Sequence, residues 1–386
     1  MVIVMSKIVL HIDVNNAFLS WSAVHLLKTG FKKDIRNEVS VIGGDETKRR
    51  GVVLAKSIPA KKYGISTGET LYSARKKYPK LKTYPSYYDI YSEMSNELFE
   101  LLKTYTPDVQ IISIDECFID YGKVKKLYGD EIKFAYLLKE EIKNKLGFTV
   151  NIGIANNKLC AKMASDFTKP NKVHTLYDHE VELKMWPLPI DNLYGVGKKS
   201  SAILKNLNIN KIGDLAKADF DLLYKYFKNQ TKGMIDAANG IDNSPVVVNN
   251  EGSKGISNST TLSRNLTTKE DIFKILEGVA NNLGLTLRKQ NRYAYVVAVT
   301  LKDSYFRSYS HQTKLKNPTN SSFEIFETAK KLFEEMWNEE PVRLVGIRLD
   351  NLVKNTDYQI SLFEDDSQKE KNTNLEKTID KLREKY

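Results

Sequence analysis

The sequence predicts a multi-domain protein of the α+β class. Its 386 residues exceed what one ordinary domain needs and suit two to four. Two apolar, strand-like runs end in carboxylates: residues 8–12 lead into Asp13, and residues 109–112 lead into the tetrad Ser113-Ile114-Asp115-Glu116. Towards the C-terminus, helix-like and strand-like segments alternate beyond a polar stretch, as in a small separate α+β domain.

The elements follow in order. Residues 8–14 read as a buried strand. Residues 17–27 carry apolar positions at helical spacing, with Gly30 as the stop. Residues 39–44 and 51–55 suit a strand pair joined by the charged turn 45–50. A basic helix over 70–77 stops at Pro79. Residues 87–105 form a long amphipathic helix, with Ile90, Met94, Leu98, Leu101 and Leu102 on one face. The acidic strands come next, then a helix over about 132–146 and an alternating strand over 148–154. Residues 188–227 suit short helices punctuated by Gly195, Gly197 and Gly213. Residues 249–258 read as a linker. Beyond it stand a helix over 269–289, a strand over 294–301, a helix over 322–337 and a strand over 342–349. From about residue 364 the chain is charged and poor in aromatics, and is expected to be frayed or disordered.

Composition narrows the function. With 59 Lys and Arg against 48 Asp and Glu, the net charge is +11, which suits a long polyanion better than a small acidic metabolite. The two cysteines, Cys117 and Cys160, exclude a disulfide framework, and no CxxC or paired-His spacing suggests zinc. No apolar run approaches the length of a membrane span, and the start lacks a cleavable signal. A cytoplasmic protein of a reducing compartment, without a membrane partner, is expected. Met5 is an alternative start to Met1.

The acids carry the chemistry. The order strand-acid, helix, strand-acid-acid, helix, strand suits a ferredoxin-like sheet, with Asp13 and Asp115 brought close on neighbouring strands. Three such acids could hold two Mg²⁺ ions about 3.5–4 Å apart for in-line displacement at phosphorus. A fully extended chain would point Asp115 and Glu116 to opposite faces. A shared site therefore requires a turn at the tetrad.

Here the sequence resembles the Y-family (translesion) DNA polymerases. Asp13 followed five residues later by Phe18 is similar to the family's first motif, and Ser113-Ile114-Asp115-Glu116 to its second. Its third is similar to Gly153-Ile154-Ala155-Asn156-Asn157-Lys158-Leu159-Cys160-Ala161-Lys162-Met163-Ala164-Ser165-Asp166, followed by Lys169-Pro170-Asn171. The resemblance covers about residues 7–355. It implies a ferredoxin-like palm over 1–25 and 86–180, small fingers over 26–85 and a helix-hairpin-helix thumb over 181–248. A linker over 249–258, an α+β little finger over 259–355 and a tail over 356–386 complete the chain. Asp13, Asp115, Glu116 and the Val14 carbonyl would hold two Mg²⁺ ions. Phe18 would be the steric gate against ribonucleotides, beside Asn16 and Ala17 in the nucleotide site, with Lys61 and Lys169 on the phosphates. Gly195, Gly197, Lys198 and Lys199 of the thumb would bind DNA. Lys254, Arg264, Arg288, Lys302 and Arg307 would do so in the little finger. Gln359, Leu362 and Phe363, in Gln359-Ile360-Ser361-Leu362-Phe363, resemble a peptide for the bacterial sliding clamp.

The chain departs from the family at Ile58 and Lys61, where many members carry Tyr and Arg; lysine is a point charge that cannot make arginine's planar fork. Asn15, Asn16 and Ala17 replace acidic and aromatic residues common in polymerase IV-type members. Asp13-Val14-Asn15 and Lys61 look more like the UmuC-type branch. The expected activity is template-directed, error-prone translesion synthesis by a monomer on primer-template DNA with dNTPs. Two alternatives stay open at this point: another two-metal nucleotidyl transferase such as a cyclase, and a catalytically silent, clamp-recruited DNA-binding factor. Nothing in the chain suggests a proofreading exonuclease.

Overall fold

The computed structural model describes residues 7–49, 51–248 and 252–354, together with Glu376, Thr378, Asp380 and Leu382. The chain forms two compact units, Met1–Gly44 with Val52–Asn249 and Asp45–Gly51 with Asn250–Tyr386.

The first unit opens with β1 (Val9–Val14) and α1 (Ala17–Lys28). A small layer follows, of β2 (Ser40–Gly43), β3 (Val53–Lys56), α2 (Ile58–Lys62), α3 (Leu71–Lys77) and β4 (Lys82–Tyr84). The chain then returns through α4 (Tyr88–Lys103), β5 (Val109–Ile111), β6 (Glu116–Asp120), α5 (Lys125–Tyr128), α6 (Glu131–Leu146), β7 (Val150–Ala155), α7 (Lys158–Ser165) and β8 (Val173–Leu176). Five strands make one sheet in the order β5-β6-β1-β7-β8. Its first four strands have the β-α-β-β-α-β arrangement of a ferredoxin-like domain. The strand pair β2 and β3 is antiparallel, as its hydrophobic pattern implies, and β4 joins β2 in parallel.

Strand alternation gives the large sheet two different faces. Leu10, Ile12, Cys117, Ile119, Ile152 and Ile154 build a core with Trp21 of α1, Leu98 of α4 and Leu138 of α6. On the other face Val9, Phe118 and Ala155 pack against Cys160, Ala161 and Ala164 of α7. Gly153 explains how α7 comes so close. A Cβ there would stand 1.9 Å from the Ala161 carbonyl oxygen and 2.5 Å from the Ser165 nitrogen, so only glycine lets the helix lie on the strand. Asn157 caps that helix by accepting from the Cys160 N–H at 2.8 Å. Short helices α8 (Lys198–Asn206), α9 (Ile212–Ala216), α10 (Phe220–Phe227) and α11 (Thr231–Ala238) continue this second core through Leu204, Ile212, Leu223 and Ala238.

The second unit contains β9 (Gly255–Leu266), α12 (Lys269–Lys289), β10 (Tyr293–Asp303), β11 (Ser308–Thr319), α13 (Ser322–Met336) and β12 (Val342–Val353). Its sheet runs β11-β10-β12-β9, antiparallel throughout. Ile272, Leu276, Val297, Val299, Ile325, Phe333 and Ile347 form the core between the helices and one sheet face.

Three expectations change here. The linker expected over 249–258 overlaps a strand, because β9 begins at Gly255 and pairs with β12 from Asp350 onwards. Its small polar residues read as a loop, and only the neighbouring strand makes them extended. Strand β11, polar along most of its length, carried no hydrophobic signal. The charged tail is not frayed at every described position: Glu376 and Asp380 are helical and clasp Arg288. The Arg288 guanidinium donates to Asp380 at 2.6 Å, to Glu376 at 3.0 Å and to the Asn320 carbonyl at 2.9 Å. Glu376 also accepts from the Phe323 N–H at 3.2 Å, at the start of α13. Arg288 is thus committed within the protein and leaves the set of expected DNA contacts.

Candidate active site

The strand register assembles the acids. Asp13 near the end of β1 faces Glu116 at the start of β6 on one side and Asn151 of β7 on the other. Residues paired across strands share a face, so Glu116, Asp13 and Asn151 form one row. The chain bends at Ser113–Asp115, the turn that a shared site requires. The Val14 N–H donates to the Asp115 carbonyl at 3.0 Å, which fixes the bend to the end of β1. The Ser113 hydroxyl donates to the Asp115 carboxylate at 2.6 Å. Among the described residues no three His, Cys, Asp or Glu side chains are gathered closely enough to hold a metal ion: Asp13 and Glu116 oppose each other, and Asp115 is turned to Ser113.

Each of the two opposed acids holds an ammonium. Lys162, on α7, donates to Glu116 at 2.5 Å. Lys169 donates to Asp13 and to Asp166, the latter at 2.8 Å. His11 lies two residues before Asp13 on the same strand face and is fully buried. Its Nε2 is 3.4 Å from Glu116, and its Nδ1 is 2.8 Å from the Ser165 hydroxyl. His11 above all, with Lys162, holds the Glu116 carboxyl down to about 2. Burial pushes the Asp13 carboxyl above the usual carboxylate range, and Lys169 offsets only part of this. A buried acid of that kind is stable as an anion only beside a cation. The donor set is hard oxygen, the chemistry that suits magnesium. The ammonium groups already beside these acids show that the site calls for positive charge. The chemistry of this donor set therefore fits divalent cations.

The remaining expected residues are placed as follows. Phe18 is half-buried, its ring 4.9 Å from that of Tyr91. Ala17 is buried. Asn16 is exposed, stands in left-handed backbone (φ 53°) and donates to the Lys56 carbonyl at 2.7 Å. Lys61 is exposed on α2, next to the exposed Ile58, and no contact brings it to the acids. Gly195 is left-handed (φ 91°), Gly197 caps α8, and Lys198 and Lys199 are exposed at that helix start. The Gly197 site has open space around it. A cavity of about 540 Å³ lies between Glu116, Lys158 and Lys162 on one side and Tyr194, Asp236 and Asp242 on the other.

In the second unit Lys254 and Arg264 are exposed. Arg307 is bound to Asp303 at 2.6 Å and to Glu340 at 2.9 Å. Lys302 belongs to the sheet face opposite the helices. The register sets it in line with Thr300 and Ala298 on β10, Gly346 and Arg348 on β12, and Ser257 and Ser259 on β9. Besides Val296 and Leu344 that face is mostly small and polar, with Lys314 of β11 opposite Val296 and Leu344 opposite Lys302. Gln359, Leu362 and Phe363 lie outside the described residues. Sequence reasoning passed over His11, Asn151 and Arg348. For His11 the signal was available, since residues two apart share a strand face. For Asn151 and Arg348 only the strand register reveals the neighbours.

The impB/mucB/samB family matches residues 12–166, its C-terminal domain residues 253–362, and the IMS family HHH motif residues 179–209. The chain is 50% identical to DNA polymerase IV of Clostridium acetobutylicum over 383 residues, 99% of this chain and 96% of that one. It is 33% identical to DNA polymerase IV of Acetivibrio thermocellus over 99% of this chain and 95% of that one. A solved Y-family DNA polymerase chimera, Dbh-Dpo4(243-245)-Dbh, shares the fold with a TM-score of 0.79 at 24% identity, over 90% of this chain and all of that one. The named relatives place the chain on the polymerase IV side, so the UmuC-like look of Asp13-Val14-Asn15 and Lys61 does not set its subgroup. Neither a cyclase nor a silent DNA-binding factor is supported. No described helix is long and apolar enough to cross a membrane. A ferredoxin-like sheet with opposed acids, a glycine hairpin and a C-terminal sheet domain, matched over nearly the full length by these relatives, leave one conclusion: the chain belongs to the Y-family translesion DNA polymerases, in the impB/mucB/samB group that includes DNA polymerase IV, a family that works with divalent metal.

Proposed function

We propose that this chain extends the 3′-hydroxyl of a primer on damaged templates, with Asp13, Asp115, Glu116 and the Val14 carbonyl holding two Mg²⁺ ions. The observation that carries this reading is the opposition of Asp13 and Glu116 across β1 and β6, each already beside a positive charge. Bound magnesium would supply Lewis-acid activation of the hydroxyl and neutralise the triphosphate. His11 and Lys162 orient Glu116, and Lys169 stands on the Asp13 side to receive nucleotide phosphate. The half-buried ring of Phe18, held against Tyr91, is the surface for the deoxyribose, with Asn16 and Ala17 beside it. Lys61 contributes a mobile point charge to the phosphates. The backbone N–H groups at Gly195 and Gly197, with Lys198 and Lys199, take DNA phosphates. Arg264 and the open sheet face of the second unit grip the duplex without reading its sequence. Of the expected cations, Arg307 is the weakest candidate, because Asp303 and Glu340 already hold it. The protein acts as a cytoplasmic monomer, recruited to the sliding clamp through Gln359, Leu362 and Phe363.

Primer extension on a defined template with dNTPs and Mg²⁺ tests the reading. Asp115→Asn is expected to lose nucleotide addition while still binding primer-template; normal extension by that variant removes the metal assignment. In the same assay Phe18→Ala is expected to admit ribonucleotides, and unchanged sugar selection returns Phe18 to packing alone. For the partner, replacing Leu362 and Phe363 together with Ala is expected to weaken clamp binding without slowing clamp-free synthesis. Equal clamp affinity ends that part of the proposal.

A further inference from the structure

The segment 166–172 leaves α7, carries Lys169 to Asp13, and is largely exposed. Two buried amides hold it. Asn151, fully buried in β7, donates to the Ser165 carbonyl at 2.9 Å and to the Thr168 carbonyl at 2.7 Å. Its oxygen accepts from the Lys172 N–H at 3.1 Å and from the Asn15 amide at 3.1 Å. Asn15, two residues beyond Asp13, accepts from the Asn171 N–H at 2.8 Å and from the Thr149 hydroxyl at 3.0 Å. The segment is therefore pinned on both sides of Lys169, at Thr168 before it and at Asn171 and Lys172 after it. All four hydrogen-bonding positions of Asn151 are filled.

We propose that Asn15 and Asn151 are positioning residues that fix where the Lys169 ammonium stands against Asp13 and the incoming nucleotide's phosphates. The proposal rests on the reading of Lys169 given above. The network also explains why position 15 is an amide. Backbone groups set which way Asn151 points: two carbonyls require its NH₂, and the Lys172 N–H requires its oxygen. The side chain at position 15 must then donate to that oxygen while accepting from Asn171. An ionised carboxylate has no donor. It would leave a buried oxygen facing a negative charge, and breaking a buried hydrogen bond of that kind costs enough to change binding by about tenfold. Because three of the network's backbone partners, Thr168, Asn171 and Lys172, belong to the segment that carries Lys169, its disruption should be read in nucleotide binding.

The test is a double-mutant cycle in the full chain. Asn15→Asp is expected to raise the dNTP KM by about tenfold, with a smaller change in kcat and unchanged DNA affinity. The next correct nucleotide should bind about tenfold more weakly to a complex on a dideoxy-terminated primer. Lys169→Ala should raise the KM by itself, and adding Asn15→Asp to it should change little more, because the group being positioned is gone. If Asn15→Asp costs as much without Lys169 as with it, the amides act elsewhere and the proposal falls while the reading of Lys169 survives. If Lys169→Ala leaves nucleotide binding unchanged, the reading of Lys169 falls and the proposal with it. Thr149→Val removes one donor to Asn15 and keeps the side-chain shape, so it serves should Asn15→Asp not fold. It is expected to raise the KM about twofold to threefold, an effect that should vanish without Lys169; an equal effect there overturns the proposal.

Discussion

The first unit sets cations over its sheet and the second carries them on its sheet, and the two treat them in opposite ways. In the first, Lys162 and Lys169 are each pressed against a carboxylate, Glu116 and Asp13. In the second, Lys302 and Lys314 stand on the open sheet face with no carboxylate partner among the described residues. The contrast separates a site for chemistry from a surface for holding. Opposite charges held partly out of water in fixed geometry are costly to assemble, and that investment makes sense where a charge has to be met at a defined point. A duplex presents phosphates everywhere, so cations that bind it gain from staying free to exchange with salt ions.

The widest separation between the two regions is expected from the backbone beneath the first. Gly153→Ala would drive a Cβ into the Ala161 carbonyl and lift α7, carrying Lys162 away from Glu116. We expect destabilisation of about 3 kcal/mol, typical of an overpacked core site, and a corresponding fall in polymerase activity. Gly197→Ala, where the space is open and only the helix cap is weakened, is the control and should cost no more than about 1 kcal/mol. Urea unfolding checks both, and identical midpoints for wild type and Gly153→Ala would show that α7 tolerates the displacement.

The same contrast explains what was legible beforehand. The acids, the turn at Ser113–Asp115 and Gly153 all fall within short sequence motifs, because they are set by local chain geometry. The long helices were legible from their apolar stripes, and α12 and α13 begin and end within a residue or so of their expected limits. Strands β9 and β11 were not. Edge strands with polar, small residues on the solvent side carry no alternation, and their extended form depends on β12 and β10. For the same reason the open face was not legible as a surface: Arg348, Lys302 and Ser257 come onto one sheet face only through register. Arg288 shows the reverse error. A cation in a basic chain looked available to DNA, but Glu376 and Asp380, about ninety residues further on, had claimed it. The amide network at Asn15 and Asn151 was hidden too, since most of its partners are backbone groups whose positions no residue type reveals.

A smaller effect sharpens the comparison through salt. Lys302→Ala combined with Lys314→Ala is expected to weaken primer-template binding and to lower the slope of log K against log salt by about 2, near 1 for each phosphate that goes unneutralised. Lys162→Ala should reduce nucleotide addition and leave that slope unchanged. Fluorescence anisotropy across a salt series measures both. An unchanged slope in the sheet double variant would mean that the open face does not meet the duplex, and the division between the two regions would lose its second half.

The smallest effect concerns a place where the second unit buries a carboxylate as the first does. Asp303, at the end of β10, is 3% exposed. It accepts from the Arg307 guanidinium at 2.6 Å, from the Tyr305 and Arg307 N–H groups at 2.8 and 2.9 Å, and from the Tyr309 hydroxyl at 2.9 Å. Burial alone would push its carboxyl up. These donors outweigh burial and hold it down to about 2. A carboxyl held lower in the folded than in the unfolded chain adds stability that is complete above the ordinary carboxylate range and disappears as the pH falls through about 2. Asp303→Asn cannot titrate, so the gap in thermal midpoint between wild type and variant should be widest near neutral pH and should close on acidification below about 4. A gap that stays constant would mean that Asp303 holds the β10–β11 turn through shape alone. The charged turn would then be no counterpart of the paired acids in the first unit.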